Sequence, residues 1–132
     1  MMLRLFFLPI LCFMLMPGCD QRPIRIVESG VEIITEQRGQ GAPANAGDVV
    51  TIAYEVRLPD GQPILNNDRF SFQLGRGAVI EGIDHTVVGM RVGGHRIVLC
   101  PPNKHWGQSG YGEDAIPPDT ILTLDVRLTA LD

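Results

Sequence analysis

The sequence predicts an α+β domain: one antiparallel, curled sheet of about five strands wrapped around one short helix. Three observations predict it. Several segments alternate apolar and polar residues with a period of two. One segment alone changes to spacings of three and four. Fifteen Gly and ten Pro in 132 residues require many turns and argue against a helical bundle. The length suits a single domain. At 45% hydrophobic and 20% charged, the composition is not that of a disordered chain. Eleven basic residues stand against fifteen acidic ones, so there is no basic footprint and nucleic acid is not an expected partner.

The first segment is read as a signal rather than as fold. Arg4 is the only charge before Asp20, and Leu5 to Met16 is a twelve-residue apolar run. That run is too short to span a bilayer, which needs roughly 20 apolar residues. Gly18 precedes Cys19. The LMPGC ending resembles a bacterial lipoprotein signal, which implies cleavage between residues 18 and 19 and lipidation of Cys19. The alternative is an ordinary signal peptide in which Cys19 is incidental. The resemblance places the chain in a bacterial cell envelope, lipid-anchored to a membrane and facing the periplasm. Asp20 resembles an inner-membrane retention signal. Residues 19–30 are then a polar tether and 31–132 the folded domain. Once Cys12 leaves and Cys19 is lipidated, Cys100 is the remaining thiol, and an intrachain disulfide is excluded. Cys100 follows Ile97, Val98 and Leu99, and reads as a buried structural thiol.

Val31, Ile33 and Thr35 alternate with Glu32, Ile34 and Glu36, a strand signal. Residues 39–47, GQGAPANAG, form a small-residue loop. Val50, Ile52, Tyr54, Val56 and Leu58 share one face of the next strand, with Thr51, Ala53, Glu55 and Arg57 on the other. Pro59-Asp60-Gly61 ends it with turn chemistry. Phe70, Phe72 and Leu74 alternate again up to the Gly75-Arg76-Gly77 break. Ile80, Ile83, Val87 and Met90 form one helical stripe, kept short by Gly82 and Gly89. Residues 91–100 and 121–129 supply further strands, the last with Leu122, Leu124, Val126 and Leu128 on one side.

No P-loop, G-x-S-x-G or HExxH pattern occurs, and His85, His95 and His105 are isolated in sequence. The residues suited to function are instead aromatic and aliphatic ones beside Gly/Pro loops: Tyr54, Phe70, Phe72, Trp106, Tyr111 and Ile116. Phe72, Leu74 and Val126 are expected in the core. HWGQSGYGEDAIPP, at 105–118, is too Gly-rich to be core, so Trp106 and Tyr111 are expected on an apolar binding surface.

LPDG at 58–61, FSFQLGRGAVIEGIDHTVVGMRVGG at 70–94, WGQSGYG at 106–112 and AIPPDTILTLDVRL at 115–128 resemble the FKBP-type peptidyl-prolyl isomerases, in order and at family spacing over roughly residues 30–132. The resemblance implies a peptidyl-prolyl cis-trans isomerase acting on X-Pro bonds of envelope proteins, without a cofactor or metal. It implies a shallow apolar pocket walled by Tyr54, Phe70, Val79, Ile80, Trp106, Tyr111, Ile116 and Leu124. Ile83 stands under the proline ring, where typical members have Trp. The backbone N–H of Ile80 is the family's donor to the ligand carbonyl, and Trp106 takes the place of a loop tyrosine. Ile64 and Leu65 stand where the family usually has a pocket Phe and Asp. Tyr54, Phe70, Ile80 and Trp106 are expected at the isomerising bond, and the remaining wall residues hold the peptide. Proline-containing segments are the implied partners, and a macrolide inhibitor a further ligand. The competing expectation, carried by Leu65, is a non-catalytic FKBP-like chaperone or peptide-binding module.

Overall fold

The computed structural model describes residues 25–26, 30–105 and 116–132. Among these residues six strands, every neighbouring pair antiparallel, run in the order β1-β2-β5-β6-β3-β4. They are β1 (Arg25–Ile26), β2 (Glu32–Gln37), β3 (Val49–Arg57), β4 (Pro63–Gln73), β5 (His95–Cys100) and β6 (Leu122–Leu131). Among the described residues one α-helix, α1, spans Glu81–Val87, and a 3-10 turn covers Pro102–Lys104. The two-residue β1 lies inside the segment expected to be a tether and pairs with Ile33 and Glu32 of β2. The other five strands are those of the sequence expectation, with altered limits.

The last strand is the keystone. β6 pairs with β5 on one side and β3 on the other, and buries Leu122, Leu124, Val126 and Leu128. Period-2 alternation puts these four on one face, the face that meets α1. β3 contributes Val50, Ile52 and Val56 to the same core. From α1 come Ile83 and Val87, with Met90 just beyond the helix, so the stripe read from the sequence is the buried side of the helix.

α1 is short because its ends are fixed. Gly89 sits at φ +83°, a conformation that ends a helix and that a side chain resists, and its N–H donates to the Ala44 carbonyl. Arg96 from β5 clamps the same end, donating from Nη1 to the carbonyls of Thr86 (2.7 Å) and Val88 (2.9 Å). At the other end Lys104 donates to Glu81 at 3.0 Å, and this bond holds the Glu81 carboxyl below its usual range. The Asp84 carboxylate accepts from the Gly75 N–H at 3.1 Å and ties the β4–α1 turn to the helix.

Three limits differ from the sequence expectation. In β2 the register shifts between Ile33 and Thr35, so Thr35 does not continue the inward face begun by Val31 and Ile33. The shift instead turns Glu36 toward Arg96, 3.4 Å away. The strand expected over 91–100 begins only at His95. Residues 91–94 form a turn closed by the Gly94 N–H on the Arg91 carbonyl (2.8 Å), with Gly93 at φ +86°. β4 starts seven residues before Phe70, a stretch whose Pro, Asn and Asp content hides it from propensity. It lies at the sheet edge, where Pro63 needs no ladder partner for its missing N–H.

Candidate functional site

A cleft of about 430 Å³ opens between the concave face of β3–β4 and the start of α1. Its sheet side is Tyr54, Val56, Leu65 and Phe70; its helix side is Ala78, Val79, Ile80 and Ile83. Alternation on β3 brings Tyr54 and Val56 to the same face as the buried Ile52. On β4 the register shifts twice, once between the partners of Ile52 and Tyr54 and again beyond Val56. Phe70 faces Ile52, Asn67 faces Tyr54 and Leu65 faces Val56. Without the first bulge, Ile64 and Asn66 would share the face of Phe70; with it, Leu65 and Asn67 do.

The aromatic residues interlock. Tyr54 meets Phe70 edge to face, with ring centroids 6.1 Å apart and planes at 86°. Phe70 in turn lies 5.7 Å from Phe72, which is buried at the margin of the core. Such pairs add about 0.5–1.5 kcal/mol each beyond area burial and fix the ring orientations. The floor is Ile83, only 5% exposed, so the cleft bottoms out on an aliphatic side chain of α1.

The helix side is shaped by the chain ahead of α1. The Ile80 carbonyl accepts from the N–H groups of Ile83 (3.0 Å) and Asp84 (3.2 Å), the first turn of the helix. Its own N–H donates to no described residue. The cleft wall therefore presents a backbone donor with no partner among the described residues beside aliphatic side chains, the pairing of an apolar pocket with a few placed polar groups that ligand sites use.

Of the residues singled out from the sequence, Tyr54, Leu65, Phe70, Val79, Ile80 and Ile83 come together in this cleft. Ile116 and Leu124 do not line it. Each is 1% exposed and packs in the core. Leu124 lies beneath the helix, its Cδ1 placed 3.3 Å from where a Cβ on Gly82 would be. Ile64 is half-buried at the second register shift beside Leu65, outside the cleft lining. Trp106, Tyr111 and Cys19 lie outside the described residues. The His105 ring donates to the Thr120 carbonyl at 2.6 Å. Val56 and Ala78 are cleft residues that the sequence reading did not single out. Val56 was signalled by its place two residues beyond Tyr54 on an alternating strand. Ala78 carried no signal of its own.

Among the described residues no cluster of His, Cys, Asp and Glu is arranged to hold a metal ion. The His95 ring and Asp125, 2.6 Å apart, bridge β5 and β6 away from the cleft. Cys100 is buried under α1 with its thiol pushed up to about 12 by desolvation, too high for a nucleophile at neutral pH.

A curled antiparallel sheet around one helix, with a carbon-lined cleft where they meet, defines a class of small α+β domains with a ligand-sized hollow. A family model described as FKBP-type peptidyl-prolyl cis-trans isomerase matches residues 40–129, and the chain belongs to that family. It is 42% identical over 107 residues to FK506-binding protein 3 of Candida albicans, covering 75% of this chain and 24% of that one. To the 39 kDa FK506-binding nuclear protein of Drosophila melanogaster it is 36% identical over 111 residues, covering 81% and 31%. The chain thus spans about a quarter to a third of the length of these curated relatives. Among solved structures it is similar to a peptidyl-prolyl cis-trans isomerase of Pseudomonas syringae pv. tomato, with a TM-score of 0.74, 27% identity, and 86% and 84% of the two chains covered. It is also similar to FkpA of Escherichia coli, with a TM-score of 0.72, 25% identity, and 84% and 52% covered.

Proposed function

We propose that the chain is a peptidyl-prolyl cis-trans isomerase that binds X-Pro segments of envelope proteins in the β3–β4–α1 cleft and speeds their folding. The observation that carries this is the cleft itself: an aromatic and aliphatic hollow, floored by Ile83 and edged by the Ile80 N–H, which has no partner among the described residues. Rotation about an amide has a barrier of about 18–20 kcal/mol, because the planar resonance must be broken. The twisted amide carries less charge separation than the planar one. A dry, carbon-lined cleft therefore raises the planar ground state relative to it. The Ile80 N–H holds a peptide carbonyl while the rest of the chain turns. Each factor of ten in rate needs about 1.4 kcal/mol of such discrimination, with no proton or electron transferred. FK506-type macrolides, bound by relatives named for it, are proposed to enter the same cleft.

Leu65 favours a second reading, a peptide-binding chaperone with little turnover, since it leaves no carboxylate among the described lining residues. One assay separates the two. Cis–trans exchange of short acetylated peptides, followed by NMR with the full chain in detergent, is expected to accelerate. Phe70→Ala, which opens the sheet side, is expected to lower the rate at least tenfold. Peptide binding without acceleration for any residue before Pro supports the chaperone reading instead.

The proposed location is a membrane of a bacterial cell envelope, reached through lipidated Cys19 with the domain facing the periplasm. What supports it is the charge-poor apolar run closed by Gly18-Cys19, and Asp20 favours the inner membrane.

A further inference from the structure

We infer that the Tyr54 hydroxyl is a specificity-determining donor, hydrogen-bonding a backbone carbonyl of the bound prolyl segment, and that Leu65 is what leaves it free to do so. This rests on the proposed isomerase reading and assigns a second polar anchor within the same cleft.

Among the described residues that line the cleft, Tyr54 brings the only side-chain heteroatom. Its hydroxyl donates to no described residue. Two neighbours on β4 are placed to accept from it, and neither does. Asn67 stands opposite in register; its Oδ1 accepts the Arg69 N–H at 2.9 Å and makes no bond with the phenol. Leu65, opposite Val56 and so diagonal to Tyr54, offers only carbon. The ring is held by its edge-to-face contact with Phe70, so the hydroxyl is not free to swing to a distant partner.

A ligand that fills this hollow expels the water that satisfies the phenol. A donor stripped of water and given no acceptor opposes binding, whereas one that meets an acceptor favours it. An N-acylated prolyl unit suits the site, because it has a carbonyl on each side of the ring and no N–H on the imide nitrogen. The Ile80 N–H on the helix side takes one carbonyl and the Tyr54 O–H on the sheet side takes the other. The recognised ligand class is therefore a proline ring flanked by two carbonyls. An apolar ring lacking one of them loses the second anchor. A carboxylate at position 65 would compete for the phenol proton from within the protein.

The test is a cycle of four full-length chains in detergent: the parent, Tyr54→Phe, Leu65→Asp and the double variant. The probe is a short acetylated peptide with one Ala-Pro bond, read by NMR exchange for kcat/KM and by chemical-shift titration for affinity. Tyr54→Phe is expected to lower kcat/KM or affinity about five- to tenfold in the parent, the yield of one hydrogen bond. Its effect in the Leu65→Asp background is expected to be under about twofold, the signature of coupled partners. The unfolding temperature of Tyr54→Phe is expected to match the parent, because no hydrogen bond inside the protein is lost. Parent turnover or binding that Tyr54→Phe leaves unchanged, or equal losses in both backgrounds, overturns this inference alone. A parent chain that neither accelerates exchange nor binds the peptide overturns the isomerase reading and this inference together.

Discussion

The thiol of Cys100 lies beneath α1, and burial pushes it from an ordinary 9.0 up to about 12, against the weaker pull of Lys104 in the other direction. The cause is loss of water around the thiolate, so the folded chain favours the neutral form. The sign follows. A folded-state value above the unfolded one stabilises the native state fully below about pH 9 and is lost as pH climbs toward about 12. In urea titrations across that window, the parent is expected to lose stability more steeply than Cys100→Ala, by up to about 1.4 kcal/mol per pH unit. Equal slopes would mean that the thiol ionises as readily folded as unfolded. The sequence had signalled a structural cysteine through the apolar run before it. It had no means of showing what lies on top.

What lies on top is Gly82, and it decides how closely α1 sits on the sheet. A Cβ built there would stand 2.3 Å from the Cys100 sulfur and 3.3 Å from both Leu124 Cδ1 and the Lys104 carbonyl. Alanine favours a helix by about 1 kcal/mol over glycine. That gain loses to a contact closer than packed atoms tolerate, because overpacking costs about 1–3 kcal/mol. Gly82→Ala is therefore expected to lower stability by about 1–2 kcal/mol in urea unfolding, and Cys100→Ala to recover part of the loss when combined with it. A Gly82→Ala chain as stable as the parent would place α1 farther from β5. The helix was legible in the sequence because its stripe depends on one segment only. The same holds for Tyr54 on the cleft face of β3 and for the buried side of β6. The bulges of β2 and β4 were not legible, since they exist only where two distant strands pair. They matter for the cleft: the one between Phe70 and Asn67 sends Leu65 inward in place of Ile64. Ile116 and Leu124 were read as pocket wall from the family motif, which fixes position along the chain but not depth. Here both are buried in the core.

The strand order separates the two ends of the molecule that matter for its proposed work. β1 forms one edge of the sheet and β4 the other, so the chain enters the domain five strand spacings from the cleft edge. At about 4.8 Å per spacing, that is roughly 24 Å measured along the sheet. Cys19 precedes Arg25 by six positions, a reach of at most about 20 Å when fully extended. An anchor at Cys19 would thus keep β1 near the headgroups while β4, α1 and the cleft stand off toward passing chains. Each acyl methylene buried in the bilayer contributes about 0.8 kcal/mol, and two or more chains hold a protein stably. Cys19→Ala removes the attachment atom and touches no cleft residue. Produced in a bacterium with a periplasm, this variant is expected to move from the membrane pellet to the soluble fraction on cell fractionation. Its rate of prolyl exchange on a small soluble peptide is expected to equal that of the parent, because β1, the first described strand after Cys19 in the chain, and the cleft strand β4 lie at opposite edges of one sheet. Continued sedimentation of the variant with membranes would reject the lipid anchor and leave the cleft chemistry standing.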